Sequence, residues 1–164
     1  MAYQIRHAKE TDWKEIQALY ATARQFMADH GNPDQWGSQY PPDEMLLRDI
    51  AREKLFLIYN ECGIHGVFYF AVEEDPTYSE IYDGAWSRSE QYGVIHRIAG
   101  DGSGGVLGAA VAFGKQLIKH IRIDTHHDNK VMQKAVIKYG FQRSGIIHLE
   151  DGDPRIAYDL LTEE

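Results

Sequence analysis

The sequence is poor in cysteine and in basic residues, and these two shortages exclude several classes of protein. Cys62 is the only cysteine among 164 residues, which excludes an intrachain disulfide framework and a cysteine-rich metal site. Lysine and arginine number 17 against 25 aspartates and glutamates, a formal charge of −8 at pH 7. A broad surface for nucleic acid or for an anionic membrane needs a basic face, so we expect neither partner.

Long hydrophobic runs are also missing. No apolar stretch approaches the ~18 residues of a membrane span, and the opening residues do not form a secretory signal. We therefore expect a cytoplasmic protein. The length suits one hydrophobic core, and we predict a single domain over residues 1–164.

Hydrophobic periodicity predicts a chain that mixes helices and strands. Residues 31–42 and 79–92 have no clean period and are expected to form loops. The predicted helices cover residues 13–27, 43–53, 106–117 and 129–139, the last with Asp128 as its N-cap. The predicted strands cover residues 3–8, 55–59, 64–72, 93–99, 120–125, 141–149 and 155–161.

A glycine-rich segment, residues 99–108 (AGDGSGGVLG), joins a predicted strand to a predicted helix. The first N–H groups of a helix have no intrahelical partner, and glycines let an anion approach them closely. This arrangement suits a pyrophosphate. The alternative is a flexible connection that binds nothing.

Three kinds of pyrophosphate ligand compete for this segment. Gly100, Gly102 and Gly105 satisfy G-x-G-x-x-G, and Asp124 follows roughly 20 residues later, as in a dinucleotide site. A Walker A loop fits poorly, because the Gly114-Lys115 pair lacks the upstream glycine and the following Ser or Thr. The third ligand is coenzyme A. A dinucleotide domain needs successive βαβ units, whereas the predicted order here is β-α-α-β-β-β-α-β-α-β-β.

That order and four segments resemble the GCN5-related N-acetyltransferase (GNAT) family, in its branch of small bacterial acetyltransferases. The segments are residues 94–99 (VIHRIA), 121–126 (IRIDTH), 128–133 (DNKVMQ) and the closing 145–158. The resemblance covers essentially the whole chain and is most specific between residues 94 and 159. It implies an α+β fold: a twisted, mixed but mostly antiparallel sheet of six to seven strands, flanked by about four helices.

The resemblance also implies a function, an acetyl-CoA-dependent N-acetyltransferase without a metal. The acetyl group would pass directly to a small-molecule or peptidyl amine in a ternary complex. The family's frequent dimers imply a homodimer. The residues implied to bind the cofactor are Ile98, Ala99 and Gly100 along the pantetheine arm, Ser103, Gly104, Gly105, Val106, Leu107, Gly108 and Ala109 around the pyrophosphate, and Asn129 and Met132.

The sequence departs from the family pattern at two points. The family's loop usually opens with Arg or Gln, and no register of residues 99–108 supplies one. Many members also have a tyrosine seven residues after the helix-opening asparagine, near the leaving thiolate. From Asn129 that count reaches Val136, and Tyr139 is expected to pack.

His96 is the first candidate for the general base. Strand alternation places it on one face with Val94 and Ile98, and some family members have a catalytic histidine at the matching position. An unperturbed histidine pKa of ~6.5 suits proton removal near neutral pH. Pairing with a carboxylate for structural reasons is the alternative. Glu73 comes next, with Glu74 beside it, and a solvated acidic rim is their alternative.

Trp36 and Tyr40 are candidates for binding the acceptor, because the loop that contains them borders the acceptor site in this family; ordinary packing is the alternative. The run His126-His127-Asp128 is not expected to bind metal, since neighbouring side chains on an extended chain point apart. Two other functions stay open: a non-catalytic acyl-CoA-binding or regulatory domain, and a dinucleotide-binding oxidoreductase. The acidic composition favours a cationic acceptor.

Overall fold

The computed structural model describes residues 2–162, and a seven-stranded sheet forms its centre. The strands are β1 (Gln4–His7), β2 (Leu55–Asn60), β3 (Gly63–Val72), β4 (Gly93–Gly100), β5 (His120–Thr125), β6 (Gln142–His148) and β7 (Pro154–Leu161). The helices are α1 (Trp13–Asp29), α2 (Asp43–Ala51), α3 (Val106–Leu117) and α4 (Lys130–Lys138). This is the predicted α+β fold class.

The strand order is β1-β2-β3-β4-β5-β7-β6, and every neighbouring pair is antiparallel except β4 and β5. That parallel pair is short: only Gly93 with Ile121 and Val94 with Arg122 are in register. Beyond Val94 the two strands separate, and the edge of β4 that faces β5 has no strand partner. The dinucleotide alternative required successive parallel units, which this sheet does not contain.

An irregularity in β4 accompanies the separation. On β3, Val67 and Tyr69 are two residues apart, but their partners on β4, Ala99 and His96, are three apart. The extra residue is a β-bulge, and Arg97 within it has a left-handed φ of 52°. A bulge bends its strand and re-aims the side chains beside it.

The core has two parts, one on each face of the sheet. Alternation along β2 divides its residues between them: Leu55 and Leu57 pack with α1 and α2, whereas Phe56 and Ile58 pack with α3 and α4. Each large apolar side chain that is fully buried contributes about 1.5–3 kcal/mol. The two helical layers therefore hold the sheet from both sides.

Two local predictions need correction or detail. Asn129, not Asp128, is the N-cap of α4: its Oδ1 accepts a hydrogen bond from the Met132 N–H at 3.0 Å. Asp128 is the residue before this cap. Its N–H donates to Nδ1 of His126 at 3.0 Å, and this bond closes a turn that leads into the helix. Residues 79–92 are irregular, as predicted, apart from one bridge between Tyr82 and Ile146. Among the described residues, none of the helices combines the length and the hydrophobicity that crossing a bilayer requires.

Candidate active site

A cleft of about 490 Å³ lies between the end of β4, the start of α3, α4 and the second half of α1. Most residues that were predicted to bind the cofactor line it: Ile98, Ala99, Gly100, Gly104, Val106, Leu107, Asn129 and Met132. The other predicted residues, Ser103, Gly105, Gly108 and Ala109, do not line the cleft.

The start of α3 leaves backbone donors free. Gly105 is its N-cap, has a left-handed φ of 75° and provides no side-chain cap. The first intrahelical bond runs from the Ala109 N–H to the Gly105 carbonyl at 3.0 Å. The N–H groups of Val106, Leu107 and Gly108 therefore have no partner within the helix, and they form a site suited to an anion.

Two of the predicted phosphate-binding N–H groups, those of Ser103 and Ala109, are already occupied, and Gly108 also has a packing role. The Ser103 N–H donates to Oδ1 of Asp101 at 3.0 Å, so it is already occupied. The Ala109 N–H is occupied by the helix itself. A Cβ added to Gly108 would meet the Tyr139 ring at 2.8 Å, so this glycine permits the close packing of α3 on Tyr139.

The charge of the cleft is unusual for a pyrophosphate site. Among the described residues, no lysine or arginine lines it, and its titratable members are His30 and Asp101. Burial raises the pKa of Asp101, but hydrogen bonds from Ser103 and His65 outweigh it and lower the pKa below its usual value. The backbone donors of α3 would therefore act without a basic side chain beside them.

A second cavity of about 440 Å³ adjoins the cleft, and we name it the acceptor cavity after the role predicted for Trp36 and Tyr40. It lies between β4, β5, the loop of residues 31–42 and the turn that joins β6 to β7. Both cavities are lined by Met27, Ile98, Asn129 and Met132, so they meet at the point where β4 and β5 diverge.

His96 lines the acceptor cavity, and its Nε2 lies 2.8 Å from Oδ2 of Asp75. Oδ1 of Asp75 accepts from the N–H and the hydroxyl of Thr77 at 2.9 and 2.7 Å. Burial raises the pKa of Asp75, but the bonds from His96 and Thr77 outweigh it and lower the pKa to about 2. Because the ionised carboxylate only accepts hydrogen bonds, Nε2 carries the proton and Nδ1 is the acceptor of neutral His96.

Glu73, the second candidate base, is not brought to the cavity. Its Oε1 is 2.7 Å from Nζ of Lys54 and its Oε2 accepts from the Tyr69 hydroxyl. These partners hold it away from both cavities. Glu74 is exposed and lines a separate pocket. The carboxylate that meets His96 is Asp75, which sequence analysis missed, although the run Asp75-Pro76-Thr77 is typical of a side-chain cap at a turn.

Trp36 and Tyr40 both line the acceptor cavity. The Trp36 ring packs between Tyr20 and Tyr40, with centroids 5.8 and 5.9 Å away. The Tyr40 hydroxyl lies 3.4 Å from Nη1 of Arg97, the bulge residue. Trp36 and Tyr40 therefore pack against neighbouring side chains and also face the cavity.

Carboxylates dominate the charge of the acceptor cavity. Two arginines line it, but Arg97 is paired with Asp49 at 3.0 Å and Arg155 with Asp153 at 3.1 Å. The aspartates that line it are Asp34, Asp75, Asp124, Asp151 and Asp153. The cavity therefore has a negative potential that attracts cations.

Two other predictions concern α4 and the turn before it. The side chains of His126 and His127 do not point apart: their rings stack with centroids 4.3 Å apart, and with Asp128 they bring three ligand atoms within 4.8 Å. The prediction that these side chains point apart was wrong, since the chain turns here. Nδ1 of His126 is already an acceptor for the Asp128 N–H. On α4, Val136 is buried in the core and lines neither cavity.

No protein-family model and no curated protein matches the sequence. Among solved structures, a GNAT-family acetyltransferase from Streptococcus agalactiae has a TM-score of 0.87 and 26% identity over 99% of this chain and 96% of its own. One from Listeria monocytogenes has a TM-score of 0.70 and 20% identity over 98% and 95%. The ribosomal-protein-S18-alanine N-acetyltransferase of Escherichia coli has a TM-score of 0.64 and 13% identity over 99% and 96%.

The sheet opens between its two parallel strands, and the two cavities meet at the residues that they share. The chain has the fold of the GNAT family, and the resemblance based on its sequence motifs is confirmed. The neighbours support an acetyltransferase.

Proposed function

We propose that the chain is an acetyl-CoA-dependent N-acetyltransferase that transfers the acetyl group directly to an amine in a ternary complex. The proposal treats residues 1–164 as one catalytic domain. The observation that supports it is the meeting of the cleft and the acceptor cavity at Met27, Ile98, Asn129 and Met132. A donor in one cavity and an acceptor in the other would have their reacting atoms at this junction, which lowers the entropic cost of reaction.

Backbone groups would hold the donor. The free N–H groups of Val106, Leu107 and Gly108 suit the pyrophosphate, and the unpaired edge of β4 at Ile98–Gly100 suits the amide groups of the pantetheine arm. Acetyl-CoA supplies the thioester carbonyl that the amine attacks. The same β4 edge offers N–H groups for the developing oxyanion.

His96 would remove the proton from the attacking amine. Its Nε2–H is fixed by Asp75 at 2.8 Å, so Nδ1 is the nitrogen that accepts the proton. The Asp75 carboxylate would then stabilise the imidazolium, as the aspartate of a catalytic triad does. Asp75 is thus a positioning residue that acts through His96.

The leaving thiolate would depart without a side-chain acid. Val136 stands where many relatives have a tyrosine, and Asn129 at the junction already donates its Nδ2 to Gln35 at 2.9 Å. A thiol pKa of roughly 8–9 makes an unassisted thiolate a competent leaving group near neutral pH.

The acceptor is proposed to be a small-molecule or peptidyl amine that is cationic in solution. Asp34, Asp124 and Asp151 make no ion pair with any described lysine or arginine and line the cavity, so they would attract an ammonium group. His96 would remove one proton from the bound ammonium before attack, and the second proton, released as the tetrahedral intermediate collapses, would leave with the CoA thiol.

The test is the release of free CoA thiol from acetyl-CoA across a panel of primary amines. Each amine is matched with its N-acetylated form, which has no nucleophilic nitrogen and should release nothing. Thermal shift with CoA and NAD(P) accompanies the assay. Stabilisation by CoA without turnover on any amine would favour a non-catalytic acyl-CoA-binding domain, and stabilisation by NAD(P) alone would overturn the proposal.

A further inference from the structure

Gln35, in the loop of residues 31–42, has a side chain with no part in the proposed reaction. It lines the acceptor cavity and not the cleft. Its Oε1 accepts two hydrogen bonds, from Nδ2 of Asn32 and from Nδ2 of Asn129, each at 2.9 Å. Its backbone carbonyl accepts from Nη2 of Arg155 at 3.5 Å. These contacts hold the residue and its amide in one position.

The direction of the Gln35 amide follows from its neighbours. Oδ1 of Asn129 accepts from the Met132 N–H at 3.0 Å, so the amide of Asn129 is oriented with its Nδ2 towards Gln35. Gln35 must meet that donor with Oε1, which turns its Nε2 away from Asn129. Nε2 makes no hydrogen bond to any described residue and, unlike Oδ1 of Asn32, it is not enclosed. Gln35 therefore has a free and accessible amide donor.

This donor lies close to the point where the two cavities meet. Asn129 lines both of them. Because the nitrogen and oxygen of one amide are about 2 Å apart, Nε2 of Gln35 lies within about 5 Å of Nδ2 of Asn129. The reacting nitrogen of the acceptor would be at the same junction in the proposed function. A ligand atom that accepts from Nε2 would therefore be close to the amine.

The charge of the cavity selects the kind of atom that Nε2 can bind. An amide N–H suits a carbonyl, a hydroxyl or a carboxylate oxygen. Carboxylates dominate the charge of this cavity, so a carboxylate ligand would be repelled. A carbonyl beside an amine also lowers the pKa of the ammonium group, from about 10.4 for a lysine amine to about 8 for an α-amino group. A neighbouring carbonyl would thus ease the proton removal proposed for His96.

We propose that Gln35 selects an acceptor with an uncharged carbonyl oxygen next to its amine, as in an α-amino amide. Nε2 of Gln35 would donate to that oxygen. The bonds from Asn32 and Asn129 would hold the donor in place before the acceptor binds, which lowers the entropic cost of binding. The inference rests on the proposed function, because it names the acceptor of the same site. Gln35 is then a residue that determines specificity.

Binding of the acceptor can be measured without turnover. With CoA in place of acetyl-CoA, the protein is titrated with L-alaninamide, with isopropylamine, which lacks the carbonyl, and with L-alanine, which has a carboxylate. At about pH 6 all three carry an ammonium group. The indole N–H signal of Trp36, which lines the acceptor cavity, reports binding by NMR, and Trp36→Phe assigns it. We expect alaninamide to bind about three- to ten-fold more tightly than isopropylamine, the effect of one hydrogen bond, and alanine to bind most weakly.

Two glutamine variants locate that hydrogen bond. Gln35→Glu keeps oxygen acceptors for Asn32 and Asn129 but loses the donor, so the preference for alaninamide over isopropylamine should fall to about one-fold. Gln39→Glu, at an exposed glutamine of the same loop that lines neither cavity, adds the same charge and should keep the preference of the parent. The comparison of ligands on the parent needs no variant, so it decides the question even if Gln35→Glu does not fold.

Turnover with acetyl-CoA separates this inference from the proposed function. Preferential binding of alaninamide without release of CoA thiol would support the role of Gln35 and count against acetyl transfer. Equal binding of alaninamide and isopropylamine, tighter binding of alanine, no saturable Trp36 shift, or an unchanged preference in Gln35→Glu would each overturn the role of Gln35, even if amines are acetylated. A loss of kcat in Gln35→Glu that is equal for both amines would assign Nε2 to the thioester carbonyl and would also overturn it.

Discussion

Arg97 and Asp49 are joined by two hydrogen bonds, from Nε to Oδ2 at 3.0 Å and from Nη2 to Oδ1 at 3.3 Å. This pair connects the bulge of β4 to α2. The Arg97 guanidinium also lies 4.4 Å from the Tyr69 ring centroid. The backbone carbonyl of Arg97 accepts from the Tyr20 hydroxyl at 2.6 Å. A left-handed arginine is a strained residue, and these contacts hold it in place.

The first prediction is that Arg97→Ala destabilises the fold by about 3–5 kcal/mol, since it leaves a buried carboxylate unpaired. Asp49 is 6% exposed, and burial raises its pKa even with Arg97 present. Urea unfolding measures the loss. Adding Asp49→Asn to Arg97→Ala should recover part of it, and Arg48→Ala, at an exposed neighbour, should change little. Equal losses for Arg48→Ala and Arg97→Ala would contradict this account.

The second prediction concerns His96 and the carboxylate of Asp75 that orients it. His96→Gln should lower kcat by about 100-fold or more with little change in the KM for acetyl-CoA, because a general base contributes roughly 10²–10⁴-fold. Asp75→Asn should lower kcat less and shift its pH profile, since it alters the orientation and charge of His96. Steady-state kinetics over a pH series measures both.

Glu73→Gln is the matched control for Asp75→Asn. It removes a carboxylate two residues away that is bound to Lys54 and Tyr69 and lines neither cavity. We expect its kcat within about two-fold of the parent's, because this half-buried pair lies outside both cavities and touches neither His96 nor Asp75. If Glu73→Gln lost activity and Asp75→Asn did not, Glu73 would replace Asp75 in the mechanism.

The third prediction concerns stability in acid. Burial raises the pKa of Asp159, but hydrogen bonds from His120, Ser87 and Ser144 outweigh it and lower the pKa from 3.8 to about 2. A carboxylate with a lowered folded pKa stabilises the protein above its unfolded pKa. That contribution, about 2 kcal/mol, is lost as the pH falls from about 4 to 2.

Urea unfolding between pH 2 and 7 tests this contribution. Asp159→Asn should lower the free energy of unfolding near neutral pH and flatten its dependence on pH between about 4 and 2. Asp34→Asn, at an exposed aspartate, should leave the curve of the parent unchanged. A curve for Asp159→Asn as steep as that of the parent would show that another group causes the acid sensitivity.

Residue patterns predicted the elements of this fold better than the contacts of its site. The bounds of α3 and β5 agree with prediction, because α3 is an apolar helix that begins after a run of glycines and β5 alternates apolar with polar residues. The bulge at Arg97 was not foreseen, since periodicity identifies faces but not register. Asp75 precedes His96 by 21 residues, and a 3-10 turn positions it beside the imidazole. A local residue pattern does not contain that information, so the pair was not predicted.

The last prediction concerns the charge of Asp101 at the start of the glycine loop. Its Oδ1 orders the loop by accepting from the Ser103 N–H at 3.0 Å and the Ser103 hydroxyl at 2.6 Å. Its lowered pKa keeps it ionised near neutral pH, where it would repel the pyrophosphate in the proposed cleft. Order and charge thus have opposite effects on acetyl-CoA affinity.

Two substitutions distinguish these effects. Asp101→Asn keeps an Oδ1 acceptor for Ser103 and removes the charge, so acetyl-CoA should bind up to about five-fold more tightly. Asp101→Ala removes the acceptor as well and should bind about ten-fold more weakly than Asp101→Asn, because the loop must then be ordered on binding. Calorimetric titration at low and high salt measures both, and added salt should shrink the gain of Asp101→Asn. Equal weakening by the two substitutions would mean that the Asp101 charge has no effect on the donor and that its hydrogen bond to Ser103 requires the ionised carboxylate.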